Sequence, residues 1–190
     1  MRYPKEYKEQ ARQRIVEGGA RLAKKRGFAA AGVDALAAAA GVTSGAVYKH
    51  FGGKSELLAT IIEAELRRSA ARFASIPAGD LAKLDRAVAA YLSPEHVGHP
   101  ELGCALPSLA ADVARSDSEA RAAFEDGLLA VHAALRRHLR SDDAAWAMIA
   151  QSVGAVVLAR AMQDANVQQK LLRSVKRSAR ALVSHTGSRD

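Results

Sequence analysis

One cysteine, Cys104, stands in a chain of 190 residues. It excludes an intramolecular disulfide and any multi-cysteine metal cluster, and it fits a reducing compartment. Proline is also scarce, with five in all and only Pro107 beyond residue 100, and no segment alternates apolar and polar residues as a half-buried strand would. No apolar run approaches the roughly 20 residues of a membrane span. The opening MRYPKEYKEQARQRIVEGG lacks the apolar centre of an export signal, so a cytoplasmic location without membrane contact is expected. The chain has no nucleophile elbow, phosphate loop, dinucleotide fingerprint or paired-carboxylate signature. Neither an enzyme nor a cofactor is therefore expected. Repeats and low-complexity linkers are also missing, apart from the alanine patch at Ala37–Ala40.

What remains is helical material. Hydrophobic residues make up 49% of the chain and charged residues 25%, a globular balance able to bury a core, and abundant alanine favours helix throughout. The charge is uneven: residues 1–54 hold 11 of the 28 basic and 4 of the 20 acidic side chains, so nearly all of the net +8 falls there. A basic segment attached to a near-neutral remainder suits a partner whose phosphates release counterions on binding.

That same segment carries the most informative pattern, GFAAAGVDALAAAAGVTSGAVYKHFGGK from Gly27 to Lys54. Val33, Leu36, Ala37 and Ala40 recur at helical spacing, and Gly41 follows where a helix end needs a left-handed residue. Gly32 offers a weak cap at the start. Thr43 or Ser44 then caps a second helix whose inward positions are Ala46, Val47 and Phe51. Thr43, Ser44, Gly45, Tyr48, Lys49 and His50 are left for the outer face and its N-terminal end. Thin residues at the start of such a helix admit base edges, and donors farther along hold phosphates. His50 reads equally as a backbone contact or as cover for the apolar seam.

Ala37, Gly41-Val42, the run Thr43 to Phe51, and Lys54-Ser55-Glu56-Leu57-Leu58 resemble the DNA-binding domain of the TetR family of transcriptional regulators. The Tyr-Lys-His-Phe-Gly-Gly-Lys extension is the specific part, and the motif covers about the first third of the chain. The resemblance implies an all-α fold, with a three-helix helix-turn-helix domain over residues 1–53 and a helical bundle for effector binding and dimerisation over 54–190. It also implies a Tyr48 hydroxyl that donates to a phosphate oxygen, and Lys49 and Lys54 as phosphate anchors.

Around the motif, a first helix over about 6–26 places Ala11, Ile15, Gly19, Leu22 and Ala23 on one stripe. Its Lys24-Lys25-Arg26 end reads either as cations complementing the helix dipole or as phosphate contacts. A long helix over 54–74 carries Leu57, Leu58, Ile61, Ile62, Glu65 and Leu66 at three- and four-residue steps. Asp80 caps a helix holding Leu84, Val88 and Tyr91; Ser93 to Pro100 reads as a loop; and a short helix spans Leu106–Ala114. A capping box at Ser116–Glu119 opens another, with Phe124, Leu128, Val131, Leu135 and Leu139 inward. The last two run over about 142–162 and 167–184, followed by a tail from His185.

The middle helices supply apolar walls with a few polar groups, and Leu66, Tyr91, Cys104, Leu106, Phe124, Leu128, Ile149 and Ser152 are the expected effector lining. The effector is expected to be small, apolar or aromatic. Gly154, Ala155, Leu158, Ala159, Leu171, Leu172 and Val175 are the expected dimer contacts, since GAVVLARAMQDANVQQKLL resembles the family's dimerisation pair. Cys104 reads as an inert thiol or, by resemblance to one branch of the family, as a sensor of electrophiles. Glu95, His96, His99 and Glu101 cluster, but in a Gly/Pro loop without helical ligand geometry, so no metal site is expected. The expected function is a homodimeric, ligand-responsive repressor on a pseudo-palindromic operator of double-stranded DNA. The alternatives are a cysteine-based redox repressor and a non-inducible architectural DNA binder.

Overall fold

The computed structural model describes residues 5–184, and within them the regular structure is helical. The tail from His185 lies outside the described residues. Among the described residues ten helices follow in order: α1 (Lys5–Arg26), α2 (Val33–Ala39), α3 (Ser44–His50), α4 (Lys54–Ala74), α5 (Leu81–Tyr91), α6 (Pro94–Gly98), α7 (Leu106–Ala114), α8 (Ser118–Arg136), α9 (Asp142–Arg160) and α10 (Ala165–Ser184).

Their boundaries have local causes. Thr43, Asp80, Ser93 and Ser141 each accept a backbone N–H at the start of α3, α5, α6 and α9. Asp117 does the same for Ala120 in α8. Gly27 and Gly41, at φ +82° and +67°, turn the chain out of α1 and α2. Gly32 caps α2 without a side-chain bond, as expected. The segment expected to be a loop from Ser93 to Pro100 instead contains α6. Pro94 stands at its first position, where a missing N–H costs nothing, and Ser93 accepts from the His96 N–H.

The chain packs as two compact units. The first unit comprises residues 1–65 and 100–126, so α7 and the start of α8 pack with the helix-turn-helix. Its core is built from Ile15, Phe28, Leu36, Val47, Phe51, Leu57, Ile61, Ile62 and Leu109, all nearly or fully buried. Gly18 is what lets α1 and α2 cross closely: a Cβ there would lie 2.6 Å from the Ala39 carbonyl oxygen. The second unit comprises residues 66–99 and 127–190, with Leu66, Leu84, Leu92, Met148, Val156, Leu172 and Ala179 inside. Gly127 plays the corresponding role here, its missing Cβ leaving room for the Leu66 side chain. Among the described residues, no helix is long and apolar enough to cross a membrane.

Candidate nucleic-acid interface

The turn between α2 and α3 is closed by backbone bonds. Gly41 donates to Ala38 O and Val42 to Ala37 O, each at 3.0 Å. Thr43 Oγ1 accepts from the Ala46 N–H at 3.3 Å and is the cap that the sequence left open between Thr43 and Ser44. Ser44 makes a different bond. Its hydroxyl donates to the Asp34 carboxylate on α2, locking the two helices together. Val47 and Phe51 are both 2% exposed and anchor α3 inward. Arg12 seals this seam, with its guanidinium 4.9 Å from the Phe51 ring centre and 3.4 Å from Thr60 Oγ1.

Burying that seam turns Gly45, Tyr48 and Lys49 outward. Tyr48 is 59% exposed although it is a large aromatic, and Lys49 is exposed as well. A Cβ on Gly45 would meet only Thr43 Oγ1, at 4.0 Å, so nothing inside the protein requires glycine there. His50 is half-buried. A helix of seven residues is about 10 Å long. Its thin N-terminal end and its hydroxyl and ammonium farther along suit the major groove, which is about 12 Å wide.

Two lysines read as phosphate contacts have other partners. Lys54 Nζ donates to Ala29 O at 3.0 Å and lies 5.1 Å from the Phe28 ring centre, so it braces the α1–α2 turn. Lys24 is buried. Its ammonium sits 2.7 Å from Glu65 Oε2 and donates to Gly103 O at 2.9 Å, which replaces both the dipole and the phosphate readings of that residue. Asp112, on α7, accepts from the backbone N–H groups of Phe28 and Ala29 at 3.0 and 3.1 Å. Sequence reasoning missed it, because it lies 83 and 84 positions from its partners and no local pattern marks it.

The residues expected to line an effector pocket fall in both units: Cys104, Leu106 and Phe124 in the first, Leu66, Tyr91, Leu128, Ile149 and Ser152 in the second. Leu66, Leu106, Ile149 and Ser152 are buried, and the other four are half-buried. Of the expected dimer contacts, Ala155, Ala159 and Leu172 are buried inside the protomer and pack its own core, a correction that follows from helical phase. Ala155 and Ala159 repeat with Met148 and Ser152 on the inward stripe of α9. Leu158 is 55% exposed, and a Cβ on Gly154 would meet open space, so these two point outward with Val157. Leu171 and Val175 are half-buried. In the histidine cluster, the His96 ring lies tilted against Tyr91 with ring centres 4.5 Å apart, and its Nδ1 is 2.7 Å from Tyr91 O. His99 pairs with Glu95 at 3.5 Å. Among the described residues, no group of three potential ligands converges on a metal position.

Helix α3, capped, bolted to α2 and presenting a thin polar edge, marks the chain as a helix-turn-helix protein with a further helical portion. Residues 15–61 match the family model described as bacterial regulatory proteins, tetR family. The HTH-type transcriptional regulator SrpR of Pseudomonas putida is 43% identical over 54 residues, 28% of this chain and 25% of that protein. The HTH-type transcriptional regulator TtgR, also of Pseudomonas putida, is 38% identical over 63 residues, 33% of this chain and 30% of that protein. These matches thus span less than a third of the relatives' own length. Over nearly the whole chain the fold is that of Escherichia coli NemR in its reduced form, with a TM-score of 0.77, 18% identity and coverage of 94% of this chain and 100% of that one. It is also that of the Bacillus subtilis transcriptional regulator FadR solved with stearoyl-CoA, with a TM-score of 0.67, 18% identity and coverage of 90% and 97%. Residues 15–61 thus match the tetR-family head, and the fold over nearly the whole chain is the one these solved regulators share.

Proposed function

We propose that the protein is a sequence-specific DNA-binding transcriptional regulator in which α3 enters the major groove. The observation that carries this reading is the outward trio Gly45, Tyr48 and Lys49, set on a helix whose other side is fixed by Val47, Phe51 and the Asp34–Ser44 bond. Thr43, Ser44 and Gly45 approach base edges, while the Tyr48 hydroxyl and the Lys49 ammonium hold phosphates, with His50 beside them. The concentration of net positive charge in residues 1–54 supports the same assignment.

Two copies would read a pseudo-palindromic operator, since dimer symmetry sets operator symmetry. Support for a homodimer comes from the outward face of α9, where Val157 and Leu158 are 45% and 55% exposed beside the open Gly154 position. Leu171 and Val175 on α10 flank the same reading. The repressor role and its release by a small apolar or aromatic effector rest on the family resemblance. A regulator of the same fold was solved with stearoyl-CoA, which supports only the reading that this fold can hold an organic ligand. In this chain the effector would lie against the apolar interior contributed by Leu66, Leu128 and Ile149, with Tyr91 and Ser152 as the polar groups that orient it.

Sequencing the genomic DNA fragments retained by the purified protein tests the proposal. Enrichment of a common inverted repeat supports it, and a retained set with no shared sequence contradicts it.

A further inference from the structure

We propose, on the basis of that DNA-reading function, that Asp112 is the positioning residue that ties the reading head to α7. Gly27 adopts φ +82° and closes α1 by donating to Ala23 O at 2.8 Å. The chain then offers two successive backbone N–H groups, of Phe28 and Ala29, to the same side. Both carboxylate oxygens of Asp112 are used there, Oδ2 by Phe28 at 3.0 Å and Oδ1 by Ala29 at 3.1 Å. Consecutive amides that converge on one anion form a concave site for it, and here the anion is supplied by the protein's own α7.

A two-point, charge-assisted bond fixes rotation as well as distance. Lys54 closes the same turn from α4, taking the Ala29 carbonyl while its ammonium covers the Phe28 ring. Beside it, Ser55 donates to Asp117, the residue that caps α8. The turn leads directly into α2, and α2 is bolted to α3 through Asp34 and Ser44. Hydrogen bonds to backbone or between short side chains thus run from α7 through the turn and α2 to the reading helix, alongside the apolar packing of the head. All of these residues belong to the first unit.

A head freed from Asp112 keeps its own core, Ile15, Leu36, Val47 and Phe51, and keeps Tyr48 and Lys49 on its face. It loses only its set pose. Recognition of a spaced, two-half-site operator depends on that pose, whereas attachment of either head to arbitrary DNA through phosphates does not. Loss of discrimination with retained non-specific binding is therefore the signature of this residue. A general loss of folding would lower both.

The test uses the full chain carrying Asp112→Asn, which keeps side-chain volume and one acceptor, and Lys54→Met, which opens the turn from its other side. Amide hydrogen exchange is read over residues 27–51 and over α9 and α10. Fluorescence anisotropy compares a genomic fragment retained by the wild type with a random duplex of equal length. Exchange at Phe28 and Ala29 should rise on the order of tenfold while α9 and α10 stay as in wild type. In Asp112→Asn, which removes no cation, affinity for the retained fragment should fall on the order of tenfold, with random-duplex affinity and its salt slope unchanged. Wild-type exchange at both amides in Asp112→Asn overturns the clamp whatever the DNA result. Faster exchange with undiminished discrimination overturns the positioning role. A wild type that retains no fragment strikes at the DNA-reading proposal instead, while the exchange arm still decides the clamp.

Discussion

Lys24 and Glu65 form an ion pair in the interior: Nζ and Oε2 are 2.7 Å apart, and the two side chains are 3% and 5% exposed. The ammonium also donates to the Gly103 carbonyl, so α1, α4 and the segment before α7 meet at one charge. Removing one partner leaves the other buried and uncompensated, so Lys24→Met or Glu65→Leu alone should cost about 3–5 kcal/mol. The pair Lys24→Met with Glu65→Leu should recover most of that loss. Urea unfolding of the three variants checks the claim. Single changes costing no more than the roughly 1 kcal/mol of a surface pair contradict it.

Two helical glycines should respond to alanine with opposite signs. Helix propensity alone favours alanine by about 1 kcal/mol. At Gly18 the new Cβ would lie 2.6 Å from Ala39 O and 2.7 Å from Ala40 Cα, backbone atoms that cannot swing away. Overlap wins, and Gly18→Ala should destabilise by about 1–3 kcal/mol. A Cβ on Gly45 would make only an ordinary contact with Thr43 Oγ1 at 4.0 Å, so Gly45→Ala should leave stability unchanged or raise it by up to about 1 kcal/mol while weakening DNA binding. Thermal unfolding and DNA titration of both variants read the two signs, and a Gly45→Ala protein with undiminished DNA affinity removes that residue from the interface.

Helix α3 and its outer face were legible because they are local. Cap, turn glycine and inward apolar positions lie close together in sequence, and Tyr48 had to point out once Val47 and Phe51 pointed in. Helix ends at Lys54, Ala74, Leu106 and Ala114 were readable for the same reason. What escaped is long-range or depends on phase. Lys24, Lys54 and Asp112 take partners 41, 25 and about 84 residues away, and nothing in their sequence neighbourhood separates a buried or bracing charge from a solvated one. On α9 the small and apolar residues run around the helix, so composition gives no phase. Only packing shows that Ala155 and Ala159 face in and that Leu158 faces out. The helix at Pro94 was hidden by its own Gly and Pro content, which marks loops more often than single turns of helix.

The outward phase of α9 makes the dimer testable with one charge. Leu158→Glu would place a carboxylate on the proposed dimer face while leaving the protomer core untouched, since Leu158 is 55% exposed. Sedimentation should show monomer with unchanged helical circular dichroism. A variant that remains a dimer of wild-type stability locates the interface elsewhere.

Acid should weaken one tie between α5 and α10. Arg180 meets Asp85 through two bonds, Nε to Oδ1 at 2.7 Å and Nη2 to Oδ2 at 3.0 Å. The hydrogen bond from Arg180, with its charge, holds the Asp85 carboxyl below its ordinary value of 3.8. A carboxyl lowered in the folded state contributes stability above its unfolded value and loses that contribution as pH falls through its folded one. Asp85→Asn should therefore melt below wild type at neutral pH, and the gap should close beneath about pH 4. A gap that is constant from neutral to strongly acid pH contradicts the assignment.

The central claim is that α3 reads DNA through Gly45, Tyr48 and Lys49, and the most direct measurement is the salt dependence of DNA affinity for wild type and for Tyr48→Phe with Lys49→Ala. Both side chains are exposed, so fold and oligomeric state should be unaffected. The double variant should bind retained and random duplexes more weakly by a similar factor, with the slope of log affinity against log salt reduced by about one unit for the lost ammonium. An affinity and slope equal to those of the wild type would contradict the account.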